Sequence, residues 1–137
     1  MINILLCFTL LITSAPISDW NNQLTVFVTG INNDSGQLIV SLHSDPSTFP
    51  KKNIAQKYSS IVNGKSIITF NNIPNGIYAV SVLHDENNNG KIDFNFLHIP
   101  TEKTAASNNA KGFFGPPDFE DAKFIVDRDM ELTISFK

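Results

Sequence analysis

The sequence predicts an all-β protein, a single antiparallel β-sandwich of six or seven strands, immunoglobulin-like or transthyretin-like, with one long ordered loop. Three observations predict it. Apolar residues alternate with polar ones at the period of a half-buried strand, turn clusters rich in Asn, Gly and Pro separate these runs, and helix signals are few. A chain of 137 residues suits one domain built on one core.

The N-terminus stands apart. Residues 2–12 are almost wholly apolar and the first charge is Asp19. Such a run is too short to span a bilayer and has the length of a signal-peptide h-region, followed by the small residues Thr13, Ser14 and Ala15. Residues 1–18 are therefore expected to be a signal peptide and residues 19–137 the sandwich, exported to the periplasm or secreted. No Lys or Arg precedes the run and Pro16 restricts cleavage, so a buried first strand or helix is the competing reading. Cys7, the one cysteine, lies inside the leader and follows Leu6, which does not suit a lipid anchor. Processing would leave no thiol for disulfide or redox chemistry. A net charge of -3, with no basic cluster beyond Lys51-Lys52, argues against a nucleic-acid partner. No second hydrophobic run follows, so no membrane span is expected after removal of the signal.

Beyond the leader, Leu24, Val26 and Val28 alternate with Thr25, Phe27 and Thr29. The cluster Asn32-Asn33-Asp34-Ser35-Gly36 intervenes before Leu38, Val40 and Leu42 resume the pattern, which predicts a first hairpin. A second is expected between 66–71 and 76–83 through Ile73-Pro74-Asn75-Gly76. A third is expected between 122–126 and 131–136 through Asp127-Arg128-Asp129. Residues 58–62 suggest one more strand, and 51–58 a turn or two of helix. From Asp85 to Asp121 no strand pair is evident. Structureless connections beyond about 12–15 residues are uncommon and tend to be functional or disordered. This one carries Phe94, Phe96, Leu97, Ile99, Phe113, Phe114 and Phe119, so it is expected to fold back and to offer a binding surface.

The stretch from His84 to Asp93 is the richest in chemistry. Asp85, Asn87 and Asn89 place oxygens at alternate positions, Gly90 follows, and Asp93 returns a carboxylate, which fits the start of a calcium loop. The bidentate acid of the twelfth position is replaced by Phe96. Calcium is the expected cofactor, with the Lys91 carbonyl as a further ligand and Glu102, Glu120 or Asp121 completing the set. Its affinity would be that of weak extracellular modules, about 10⁻⁴–10⁻³ M. The competing reading is a metal-free turn whose Asn and Asp side chains bond their own backbone. His84 beside Asp85 has the makings of a general base or ligand contact, with His43 and His98 as companions. Their spacing follows no zinc motif, no G-x-S-x-G turn is present, and a histidine at a strand end commonly makes a structural hydrogen bond. Asn108, Asn109 and Phe114 offer amides and an aromatic ring for a polar ligand or peptide. The same asparagines would equally pin the long loop to the sandwich.

Many of these segments also carry a resemblance. Leu24-Thr25-Val26, Ile73-Pro74 with Gly76-Ile77-Tyr78-Ala79-Val80, His84-Asp85-Glu86-Asn87, Asn89-Gly90-Lys91, Ser107-Asn108-Asn109-Ala110, Phe114-Gly115-Pro116-Pro117 and Phe119-Glu120-Asp121-Ala122 resemble an uncharacterised family of exported bacterial proteins, domain-of-unknown-function family 2141. The resemblance spans the mature chain and implies a compact extracytoplasmic β-sandwich without assigning an activity. His98 departs from it, standing where the family usually has glycine, and Thr104-Ala105-Ala106 replaces a segment richer in glycine and aromatics.

The residues together favour a non-catalytic exported sandwich whose 85–121 loop, ordered by calcium, docks an extracytoplasmic ligand or protein. The alternatives are a hydrolase using His84 and nearby acids, and a purely structural envelope protein.

Overall fold

The structure is a computed structural model and describes residues 21–136. The expected signal peptide, residues 1–18 with Cys7, lies outside the described residues. Eight strands follow in chain order: β1 (Asn22–Thr29), β2 (Gln37–His43), β3 (Ala55–Ser59), β4 (Ser66–Ile73), β5 (Gly76–Asp85), β6 (Thr104–Ala106), β7 (Phe124–Val126) and β8 (Met130–Ser135). A 3₁₀ turn, Ser107–Asn109, and one short helix, α1 (Phe119–Ala122), lie between β6 and β7.

The strands form two sheets, as a β-sandwich requires. One has the order β4-β1-β8. The other has the order β3-β2-β5-β6, with β7 pairing the opening residues of β5. The three-stranded sheet is mixed rather than wholly antiparallel, because β8 runs parallel to β1 along Leu24–Thr29. None of the three expected hairpins forms. β1 and β2, β4 and β5, and β7 and β8 each divide between the two sheets. Period-two alternation fixes which face of a strand is buried and leaves its edge partner open, and here other contacts choose the partner. The Asp34 carboxylate accepts from the Asn63 and Gly64 amides, both at 2.8 Å, which ties the first turn to the 61–65 turn. Asp129 accepts from the Gln23 amide at 2.7 Å, which seats the last turn at the start of β1.

The inward faces make one core. Leu24, Val26 and Val28 meet Leu38, Val40, Leu42, Val80, Val82 and Ile134, all essentially inaccessible to water. Each such side chain stabilises the fold by about 1.5–3 kcal/mol relative to exposure. A second, smaller cluster sits on the outer face of the five-stranded sheet. There Phe119 and Ala122 of α1 pack on Ala79 and Ala106, with Phe49 against them. The helix expected over 51–58 is absent. Asp45 instead caps a turn, accepting from the Ser47 amide at 2.9 Å and, through its carbonyl, from the Phe49 amide at 3.1 Å, and β3 then begins at Ala55.

Candidate functional site

Strand β5 pairs with β2 along one edge from Ala79 to Asp85, and at its end delivers Asp85 into a sealed position. The Asp85 side chain, 0% exposed, accepts from Gln37 Nε2 at 2.8 Å, the Asn89 amide at 3.0 Å and the Gly90 amide at 2.9 Å. Burial pushes its carboxyl up. The bonds from Gln37 and from the Gly90, Asn89 and Asn88 amides outweigh that and hold it below the ordinary carboxylate range. Gly90, at φ 80°, supplies the left-handed turn that brings its amide back.

Asp93 closes the loop from the other side. Its carboxylate accepts from Asn87 Nδ2 at 2.6 Å and from Asn89 Nδ2 at 2.8 Å, while the Asn87 and Asn89 carbonyl oxygens accept from the Asn89 and Lys91 amides. Asp85, Asn87, Asn89 and Asp93 are thus linked by hydrogen bonds within one loop, and Lys91, expected there through its carbonyl, joins through its backbone amide. Of the three acids considered as completing partners, Glu102 is the one bonded to it. This buried carboxylate accepts from the Glu86 amide at 3.0 Å and the Asp93 amide at 3.1 Å. Glu120 and Asp121 lie on α1, where Glu120 pairs with Lys123. The donor set is oxygen throughout, as a hard cation prefers. A half-turn of the Asn87 and Asn89 amides would turn two carbonyl oxygens toward the Asp93 carboxylate. Among the described residues no cluster of three or more His, Cys, Asp or Glu side chains converges, so such a site rests on amide and backbone oxygens as well as acids.

His84 turns inward. Its ring is 1% exposed, its Nε2 donates to the Ser35 carbonyl at 2.8 Å, and Phe136 packs edge-on at 6.5 Å. His43 faces the opposite side of the same sheet, and His98 is exposed at a loop tip, so the three histidines do not gather. His43 Nδ1 donates to the Lys52 carbonyl at 2.7 Å, which leaves Nε2 to accept from the Ser81 hydroxyl at 2.8 Å. Burial pushes the His43 pKa down, only partly opposed by the Lys52 carbonyl.

Asn108 and Asn109 serve as tethers. Asn108 Nδ2 donates to the Asp121 and Lys123 carbonyls, and Asn109 Oδ1 accepts from the Ser135 amide at 2.9 Å. Their neighbour Ser107 is buried. It bridges the gap in the edge of β5 between β6 and β7, accepting from the Val80 amide at 2.9 Å.

The excursion packs only in part. Phe119 is buried, but Phe96 is 89% exposed, Phe113 92% and Phe114 96%, with Phe94, Leu97 and Ile99 also exposed. Residues 95–99 form a tight turn. Asn95 Oδ1 accepts from the Leu97 and Ile99 amides, its backbone amide donates to the Ile99 carbonyl, and its carbonyl accepts from the His98 amide. Residues 112–115 form a second knuckle. A Cβ on Gly112 would lie 2.1 Å from the Gly115 carbonyl oxygen, so the chain ends touch and the Phe113 and Phe114 rings, 4.6 Å apart, stand outside.

Two sheets, a main core between them with a smaller apolar cluster outside, and a hydrogen-bonded excursion define a small sandwich-like β protein that displays one tethered loop system. The chain matches, over residues 26–134, the family described as an uncharacterized protein conserved in bacteria (DUF2141), and it belongs to that family. It has no match among curated proteins or solved structures. Among the described residues no helix is long and apolar enough to cross a membrane.

Proposed function

We propose that this protein is an exported, non-catalytic docking module, a sandwich of the immunoglobulin-like or transthyretin-like kind. Its 85–121 excursion is the docking face and calcium orders that excursion. The observation that carries the reading is the contrast within the excursion. Ser107 and Asn109 fix its backbone to the sheets, Asn108 and Glu102 cross-link its own segments, and Phe96, Phe113 and Phe114 point into water. Large exposed apolar groups on a fixed frame mark interaction sites. Phe114 is then a contact residue, and His84, Asn108 and Asn109 support the face from behind. Calcium is supported by the placing of Asp85, Asn87, Asn89 and Asp93 in one hydrogen-bonded loop, and export by the apolar, charge-free leader.

A photo-crosslinking residue at position 113 tests the docking reading in cells, with one at Ile67, exposed on β4, as the control. A discrete adduct at 113 and none at 67 is expected. Equal labelling at both, or none at either, overturns it. N-terminal sequencing tests export, and an intact Met1 on a cytoplasmic protein would end that part.

A further inference from the structure

His43 and Ser81 form a pair that the docking reading leaves unused. Both lie on the outer face of the five-stranded sheet, His43 on β2 opposite Ala79 and Ser81 on β5 opposite Ser41, so they are diagonal neighbours. Their partners fix the protons. The Lys52 carbonyl, 2.7 Å from His43 Nδ1, can only accept, so Nδ1 carries the ring proton. Nε2 then presents its lone pair, and the Ser81 hydroxyl donates to it at 2.8 Å. Burial pushes the His43 pKa below its ordinary value, so at neutral pH the ring is the unprotonated base. A hydroxyl bonded to a neutral imidazole whose far nitrogen is held by a third group is the arrangement of an activated nucleophile.

The surroundings separate the two roles. Phe49 packs edge-on against the His43 ring at 5.0 Å, and Phe119 packs against Phe49 at 5.6 Å, so the imidazole is shielded from water. Ser81 is only half-buried, and the same face continues through half-buried Leu83 to exposed Thr104 on one side and exposed Gln56 and Tyr58 on the other. The base is dry and the nucleophile keeps access to solvent. Around Ser81 the strand amides lie within ladders on both edges of β5, so stabilising an oxyanion falls to the Ser41 hydroxyl opposite. One hydroxyl is a weaker oxyanion site than paired amides. Acyl groups on good leaving groups, aryl esters and thioesters rather than amides, are therefore the matching class.

We infer that Ser81 is a nucleophilic serine, activated by His43, that accepts acyl groups from activated esters. Ser81 Oγ forms a bond to the acyl carbon while its proton passes to His43 Nε2. The bond from that carbon to the leaving oxygen or sulfur then breaks, and the leaving group departs with the proton from Nε2. The product is an acyl-serine on the outer face of the sheet. Its formation requires no turnover and does not rest on the docking face.

The test treats the full chain carrying Cys7→Ser, which removes the thiol, with p-nitrophenyl acetate and locates the acetyl groups by peptide mass spectrometry. Ser81 should acetylate about a hundredfold or more faster than the Ser41 and Thr104 hydroxyls of the same face. Adding His43→Gln should slow Ser81 by a similar factor while lysine acetylation continues unchanged, with a thermal melt to confirm that the variant is folded. The comparison with Ser41 and Thr104 is made within one chain, so it decides the matter even where His43→Gln does not fold. Ser81 labelled no faster than those two hydroxyls overturns the inference, as does a folded His43→Gln chain labelled at the parent rate. Nitrophenol release that continues once Ser81 is fully acetylated, and is lost in Ser81→Ala, supports the inference and ends the non-catalytic part of the docking reading. If Ser81 stays unlabelled while the in-cell crosslink at 113 still yields an adduct, the acyl-serine falls and the docking reading stands.

Discussion

Ser107 stands beside Val80 in the place of a strand. The Val80 amide donates to Ser107 Oγ at 2.9 Å, and that hydroxyl donates in turn to the Ala122 carbonyl at 2.5 Å. Strand β5 needs such a partner because β6 pairs only with residues from Ser81 onward and β7 only with residues up to Tyr78. One side chain therefore links the end of the excursion to β5, the strand that β2, β6 and β7 all pair with.

Ser107→Ala leaves both backbone groups buried and unsatisfied, which should cost about 1–3 kcal/mol of stability. Urea unfolding measures the loss, and hydrogen exchange should show the Val80 amide losing protection first. Unchanged exchange at Val80 would mean that another acceptor replaces the serine.

The face assignment can be tested with one charge placed at two sites. Val80 is fully buried in the core, while Ile67 on β4 is 62% exposed. Val80→Asp should unfold the protein or cost several kcal/mol, because a buried carboxylate finds no partner there. Ile67→Asp should stay within about 0.5 kcal/mol of the parent. Thermal melts of the two variants should separate widely.

How much of this was legible differs by level. The alternation at Leu24, Val26 and Val28 and at Leu38, Val40 and Leu42 located both strands and their inward faces, because burial acts on each residue separately. Strand pairing was not legible. It turns on Asp34 meeting Gly64 and Asp129 meeting Gln23, contacts between residues distant in sequence that leave no local pattern. The Asp85–Asp93 loop was legible as a unit since its bonds are local. Glu102 was foreseen there only as one of three candidates. The phenylalanines were misjudged as a group. Aromatic content suggested that the excursion packs, yet of Phe113, Phe114 and Phe119 only Phe119 reaches the sheet, because Gly112 closes the knuckle before the other two can fold back. The His43–Ser81 pair joins residues 38 apart and had no sequence signal.

Acid should destabilise the protein in two separate windows. His43 has a folded pKa below its ordinary 6.5, so on acidification the unfolded chain binds that proton first. Its contribution is whole above about 6.5 and is lost as pH falls from there through the folded value. Asp85, held below its ordinary 3.8, contributes fully above that value and loses its contribution as pH falls through its folded pKa. Melting temperature should therefore drop once in mild acid and again in strong acid. His43→Gln should remove the first drop. Gln37→Leu, which deletes one bond to Asp85, should shrink the second. A parent profile flat between neutrality and the carboxylate range would contradict the burial of His43.

Calcium and the self-bonded turn make opposite demands on Asp93. In the present arrangement its carboxylate accepts only from the Asn87 and Asn89 side-chain amides, whereas Asp85 is sealed in and bonded to the Gln37 side chain and to backbone. Asp85→Asn should consequently lower stability even in chelator, since an amide cannot accept all the bonds the carboxylate does. Asp93→Asn should be much milder in chelator. In calcium the parent should gain RT ln(1 + [L]/Kd), roughly 2.7 kcal/mol at a hundredfold excess over Kd, about 10 mM for a site near 10⁻⁴ M. Magnesium should add far less, because it demands stricter octahedral geometry and gives up its water reluctantly. Asp93→Asn should lose most of the calcium gain, having lost the one carboxylate that is free to exchange amide donors for a cation. Melts of the parent and both variants, in chelator and in each metal, decide the matter. If calcium leaves the parent's melting temperature where chelator put it, the loop is a turn held by its own hydrogen bonds.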